Sequence, residues 1–219
     1  MITYNDIKND HDIRIYVSEA DKSLEALGFT EHSFAHVTKV SETAGAILSS
    51  LDFDERTVEL AKIAGFLHDI GNLVNRVDHS QSGAIIAFRI LDKMGMPPSE
   101  IACVVTAIGN HDEGTGVPVN AVSAALILAD KSDVRRSRVR SSKVDGKDIH
   151  DNVNYSVTDA ALNIDKESSA ITLNLTIDTE ISSVMDYFEI FLGRMVLCRK
   201  AADKLGLRFK LIINGQQLL

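Results

Sequence analysis

Four of the seven histidines in this chain, His36, His68, His79 and His111, keep company with carboxylates in a way that could do chemistry. His68 is followed directly by Asp69 at the close of the apolar stretch "AGFLHDIGN", residues 64–72. Asp130 is embedded in "ALILADKSD", residues 125–133. A lone His-Asp pair has two readings: a core histidine hydrogen-bonded by its neighbour, or a pair of metal ligands. A buried lone carboxylate such as Asp130 costs several kcal/mol unless it is paired or bound to a cation. Imidazoles and carboxylates without thiolates favour Fe, Mn, Co, Ni or Zn and disfavour an all-oxygen Mg or Ca site. Four histidines and two aspartates exceed the needs of one tetrahedral ion and suit two ions bridged by a carboxylate. Such a pair can lower the pKa of a bridging water and stabilise a pentavalent phosphoryl transition state.

Those side chains need a scaffold that brings distant segments to one point. Apolar periodicity predicts helices up to about residue 134. The first spans about Asp10 to Leu27, with Ile13, Val17, Leu24 and Leu27 at helical spacing and Gly28 placed as a C-cap. The second spans about Glu31 to Leu51, and the third about Asp54 to Ile70, with Gly71 as its stop. The fourth spans about His79 to Met94, and the fifth opens at Pro97-Pro98 and ends near Asn110. The sixth spans about Val119 to Asp133. Each helix from the second to the sixth therefore delivers one His or Asp, as a metal site inside a helical bundle requires.

Beyond residue 134 the pattern changes. "RRSRVRSSK" reads as a basic linker over 135–150. Val153, Tyr155 and Val157 alternate, and so do Ile171, Leu173, Leu175 and Ile177, which predicts two strands separated by the polar turn "DKES". A long amphipathic helix follows from about Ser182 to Leu205, then a strand in "LRFKLII". Residues 151–219 thus read as a small β-β-α-β unit, and residues 1–30 as a helix packing on the core. Three roles are open to the long helix: packing on its own sheet, forming a homodimer interface, or covering the cleft.

A length of 219 residues with 45% hydrophobic and 25% charged content is that of an ordinary globular chain. The expected setting is the cytoplasm. No apolar run approaches the roughly 20 residues that span a bilayer, and the N-terminus lacks a secretory pattern. Cys103 and Cys198 are too few and too far apart for a disulfide framework. A net charge of −8 argues against a nucleic-acid polymer as partner, so an anionic substrate needs a local basic patch.

The set His36, His68-Asp69 and Asp130, with "FAHVTKVSETA", "FLHDIGN" and "LILADKSD" around it, resembles the HD-domain metal-dependent phosphohydrolase superfamily. The resemblance covers about residues 31–134. It implies a mainly α fold, an HD-domain helical bundle with a small C-terminal α+β appendage. His79 in "DHSQSGA" and His111 in "GNHDE" resemble the dinuclear branch, which includes HD-GYP cyclic di-GMP phosphodiesterases and HD-type diadenosine tetraphosphate hydrolases. The resemblance implies that Asp69 bridges two divalent ions, Fe, Mn or another transition metal. His36, His68 and Asp130 would hold one ion, and His79 and His111 the other. It further implies hydrolysis of a nucleotide or another small phosphate ester by a metal-bound hydroxide, with His68 and Asp69 as catalytic residues and Asp69 positioning the attacking group.

The chain also departs from that family's pattern. Asn72 stands where several branches have Lys after "HDIG", there is no GYP motif, and His111-Asp112 replaces a His-His pair. Asp112 is open to a ligand role or to orienting His111. His32, one turn before His36, is open to the same two roles. His11 and His150 have no such company and read as surface residues. In the basic run from Lys131 through Arg135, Arg136, Arg138 and Arg140 to Lys143, the residues nearest the site, Lys131, Arg135 and Arg136, are expected to bind phosphate; a solvated, salt-bridged linker is the other reading. Two rival functions remain on the sequence alone: a diiron oxygenase of the same fold, and a non-catalytic sensor.

Overall fold

The computed structural model describes residues 1–140 and 149–219. Helix α1 (Tyr4–Asn9) is followed at once by α2 (His11–Ala26). Helix α2 is the one expected over about Asp10 to Leu27, and α1 is an additional short helix ahead of it. Thr3 and Asp6 form a capping box that starts α1. Asp10 then turns to an extended backbone, ends α1, and caps α2 by accepting the Ile13 N–H. Tyr4 and Ile7 of α1 are buried, so the extra turn is held by tertiary contacts rather than by its own length.

Five helices then form the bundle: α3 (Phe34–Ser50), α4 (Glu55–Leu67), α5 (His79–Lys93), α6 (Pro98–Gly109) and α7 (Ala121–Lys131). Their starts follow local chemistry. Ser33 caps α3, Asp54 caps α4, and Asn120 with Ser123 forms a capping box on α7. Pro98 sits in the first turn of α6, where a missing N–H costs nothing. Helix α7 is buried from Val122 to Lys131, and an all-round apolar helix belongs at the centre of a bundle. Helices α3, α4, α6 and α9 pack against it.

Between α4 and α5 the chain makes a 3-10 turn, Ile70–Leu73, and returns. Two glycines permit this crowding. A Cβ on Gly65 would lie 2.7 Å from the Ser41 Cα, so Gly65 lets α3 and α4 approach closely. A Cβ on Gly71 would lie 1.9 Å from the His79 carbonyl oxygen, so Gly71 lets the turn pack on the start of α5.

The remainder comprises α8 (Ile149–Ser156), β1 (Val157–Asp165), β2 (Ala170–Ile177), α9 (Val184–Lys204), β3 (Arg208–Ile213) and β4 (Gln216–Gln217). The sheet order is β1-β2-β3-β4: β1 and β2 are antiparallel, β2 and β3 are parallel across the α9 crossover, and β4 folds back on β3. Two expectations need correction. Val153 and Tyr155 are helical, not strand; Ile149, Val153 and Val157 also recur at a spacing of four, and Asn154 donates to the His150 carbonyl one turn back. The two-residue strand β4 was not foreseen. Its turn at Asn214-Gly215 has positive φ at both residues, 51° and 80°, as a tight hairpin demands. The long helix packs on its own sheet and also on α7, so one hydrophobic cluster runs from Tyr4 to Ile213. No helix among the described residues is long and apolar enough to cross a membrane.

Candidate metal centre

His36 lies in the first turn of α3, His68 and Asp69 follow the end of α4, His79 begins α5, His111 follows α6, and Asp130 lies in the last turn of α7. All six converge. His36 Nε2 is 3.5 Å from Asp69 Oδ2 and 3.4 Å from Asp130 Oδ1. His68 Nε2 is 3.1 Å from Asp69 Oδ2 and 3.6 Å from Asp130 Oδ1. His79 Nε2 is 3.6 Å from the other Asp69 oxygen, Oδ1, and 3.2 Å from His111 Nε2. Two groups have ligand-type atoms close enough for one ion: His36, His68 and Asp130, and His68, Asp69 and His111. Asp69 therefore turns one oxygen to each side of the cluster.

The far nitrogen of each ring explains the chemistry of the near one. His36 Nδ1–H donates to Asp133 Oδ2 at 2.8 Å, and His68 Nδ1–H to the Gly65 carbonyl at 2.8 Å. His79 Nδ1–H donates to the Arg76 carbonyl at 3.1 Å, and His111 Nδ1–H to the Ile108 carbonyl at 2.6 Å. With Nδ1 held as the donor, each ring turns its Nε2 towards the shared centre, where a metal would take the lone pair in place of a proton. Among the described residues, His36 Nε2, His68 Nε2 and Asp69 Oδ2 are buried there without a hydrogen-bond partner. Two buried carboxylates among four imidazoles need positive charge at that point, which protons on His36 and His68 or a bound cation supply. The residues present fit a divalent metal.

The charges point the same way. Burial opposes ionisation of His68, yet Asp69 and Asp130 outweigh it and push the imidazole up to about 10. Burial works against the Asp69 and Asp130 carboxylates as well. His68 and His36 nevertheless hold both well below the usual range, with Lys131 adding to the effect on Asp130. His111 is held well below its ordinary value by burial and by the neighbouring His68 and Lys131. His79 is lowered by burial, with Arg76 adding to the effect.

The peripheral residues have definite places. His32 packs its ring edge-on to His36, with centroids 5.4 Å apart, and its Nδ1 is 2.7 Å from the Thr30 carbonyl. Asp112 lines a shallow cleft together with Arg76 and His79. Lys131 is buried between two carboxylates, 2.8 Å from Asp130 Oδ2 and 2.7 Å from Glu113 Oε2. It thereby leaves Asp130 Oδ1 as the oxygen that faces His36 and His68. Arg135 is bonded to Asp133 at 2.9 Å and reaches Glu31. Arg136 donates to the Tyr155 carbonyl at 2.6 Å and stacks on that ring. Arg140 pairs with Asp21, and Lys143 lies outside the described residues. His11 and His150 are exposed.

Sequence reasoning missed two participants. Asp133 is 1% exposed and holds His36, Lys39 and Arg135 together. Its position three residues after Asp130, just past the end of α7, was the available signal. Arg76 places Nη1 3.2 Å from His79 Nε2, and nothing in "NRVDH" announces that reach.

The HD domain family model matches residues 33–189, more than half of the chain. The chain belongs to the HD domain family. The match includes all six converging side chains and extends through α8, β1 and β2 into α9. The crystal structure of a predicted HD superfamily hydrolase from an uncultured Thermotogales bacterium is 32% identical. The match covers 57% of this chain and 67% of that one, with a TM-score of 0.45. No protein of curated function matches the chain.

Proposed function

We propose that this HD-domain chain is a metal-dependent phosphohydrolase that acts on a nucleotide or another small phosphate ester. The observation that carries the reading is the set of four imidazole Nε2 lone pairs facing the Asp69 and Asp130 carboxylates in a buried centre. His36, His68 and Asp130 would hold one divalent ion, His79 and His111 a second, and Asp69 would touch both. Bound ions of the Fe or Mn type supply Lewis acidity for the phosphoryl oxygens and acidify a coordinated water.

The chain's own residues supply the rest. Asp69 Oδ1 accepts a hydrogen bond from Asn72 Nδ2 at 3.0 Å, which fixes the carboxylate plane at the centre of the cluster. Asp133 orients His36, and Lys131 orients Asp130. Guanidinium groups beside the cluster would neutralise the ester's charge. The unpaired cysteines Cys103 and Cys198 suit a reducing cytoplasm.

Aryl phosphomonoesters and phosphodiesters, followed by a nucleotide panel, test the reading with and without Mn²⁺. Metal-dependent release of phosphate or aryl alcohol, abolished by Asp69→Ala, supports it. A metal-loaded protein inert to every phosphate ester overturns it in favour of a sensor. Activity retained in Asp69→Ala removes this centre from the reaction.

A further inference from the structure

A cavity of about 260 Å³ lies against the histidine cluster, and its walls come from both ends of the chain. Arg76, Arg138 and Arg194 line it together with His32, Phe29 and Asn154. It touches the cluster on two sides. Arg76 is 3.2 Å from His79 Nε2, and the His32 ring abuts that of His36.

The cavity has a charged end and an apolar rim. Arg138 is 4% exposed, and its Nε and Nη1 donate to the carbonyls of Glu31 and Asp133 at 3.0 and 2.9 Å. Burial pulls its pKa down, and the nearby Asp133, Asp130 and Asp69 carboxylates offset only part of that. Burial outweighs those carboxylates, so a further anion within reach of this guanidinium is favoured. Arg194, carried by α9, also lines the cavity and meets Glu113 at 3.1 Å. Among the described residues of the lining, Glu113 and Asp151 are acidic, against three guanidinium groups. At the mouth, Leu27 and Phe29 are 64% and 41% exposed, and the Arg76 guanidinium lies over the Phe29 ring. The volume falls just below the roughly 300–1,000 Å³ of ordinary small-molecule sites. There is room for one compact organic group beside a phosphate.

We infer that this cavity is the substrate subsite of the same centre and takes a phosphomonoester whose organic part is no larger than one nucleoside. Arg76 and Arg138 bind the phosphoryl oxygens, the organic group lies against Phe29, and Arg194 makes α9 part of the recognition surface. Arg76 supplies, four residues later, the positive charge that Asn72 does not. The inference rests on the hydrolase reading for its link to chemistry, but its contacts are testable by binding alone.

The test is calorimetric titration of Mn²⁺-loaded protein with inorganic phosphate, adenosine monophosphate and a cyclic dinucleotide. The mononucleotide should bind more tightly than phosphate, and the dinucleotide far more weakly than the mononucleotide. Arg76→Gln should weaken phosphate and mononucleotide alike by about tenfold or more, the loss expected for a charge-assisted bond. Phe29→Ala should weaken the mononucleotide and leave phosphate unchanged. Arg194→Lys, which keeps the pair with Glu113, guards against loss of folding and should still weaken the mononucleotide. Arg89→Gln, on another face, should change nothing. Wild-type binding in Arg76→Gln, or a dinucleotide bound as tightly as the mononucleotide, would overturn the inference. If no ester is turned over but phosphate binding still depends on Arg76, the subsite stands and the hydrolase reading falls. If turnover proceeds with an unchanged KM in Arg76→Gln and Arg194→Lys, the reverse holds.

Discussion

Asp133→Ala isolates the support of a ligand from the ligand itself. The Asp133 carboxylate accepts from His36 Nδ1 at 2.8 Å, Lys39 Nζ at 2.9 Å and Arg135 Nε at 2.9 Å. Truncation leaves the fully buried His36 Nδ1–H without an acceptor, which costs about 1–3 kcal/mol. The Lys39 and Arg135 side chains are 44% and 23% exposed, so solvent screening limits each of those pairs to about 0.5–1 kcal/mol. The sum, about 2–5 kcal/mol, corresponds to a drop in Tm of roughly 4–20 °C for a chain of this size. The ring of His36, no longer held, should bind metal about 10–100-fold more weakly. Asp133→Asn keeps an oxygen to accept from Nδ1, so it should lose stability but retain most of the metal affinity. Thermal melts and competition with a chromogenic chelator read the two effects separately. An Asp133→Ala protein with wild-type metal affinity would refute the claim that Asp133 orients His36.

Two further outcomes follow from the same geometry. In chelator-treated protein, His32, His79 and His111 are lowered by burial from an ordinary value of 6.5, so the unfolded chain takes up their protons first and stability falls as pH drops below about 6.5. His36 and His68 are raised, the latter to about 10, so their contribution is full below 6.5 and is lost as pH rises towards 10. Stability against urea should therefore peak near pH 6.5. Added Mn²⁺ should move the peak upward, because metal competes with those protons; a monotonic profile without metal would contradict the assignment. Gly71→Ala places a Cβ 1.9 Å from the His79 carbonyl, so a destabilisation of about 3 kcal/mol with weakened metal binding is expected from denaturant titration. A neutral substitution would show that the turn and α5 need not pack so closely.

The helices and ligand-type residues were legible because both follow local rules. Caps, apolar stripes and punctuating glycines set α3 to α7 within a few residues, and the His and Asp positions stand out against apolar surroundings. Helix α1 and the helix at 149–156 were not legible. The first depends on Tyr4 and Ile7 finding the core, and the second on a three-residue alternation that fits either period. The basic run illustrates a different limit. Sequence proximity to Asp130 singled out Lys131, Arg135 and Arg136, but in the fold these side chains meet Glu113, Asp133 and the Tyr155 carbonyl. The guanidinium groups that reach the cavity come from residues 76, 138 and 194, a juxtaposition created by tertiary packing alone. Likewise, α9 reads as part of a separate unit but packs on α7, because the apolar surface of α7 is too broad for the bundle to cover unaided.

The central claim is that the HD cluster is a dinuclear metal centre. Plasma mass spectrometry of protein purified without added metal or chelator, with Asp69→Ala measured beside it, tests that most directly. The expected result is close to two Fe or Mn ions per chain, with the bridging pair lost in the variant. One ion per chain in both proteins would contradict the bridging role of Asp69, and no ion even after reconstitution with Mn²⁺ would contradict the metal centre itself.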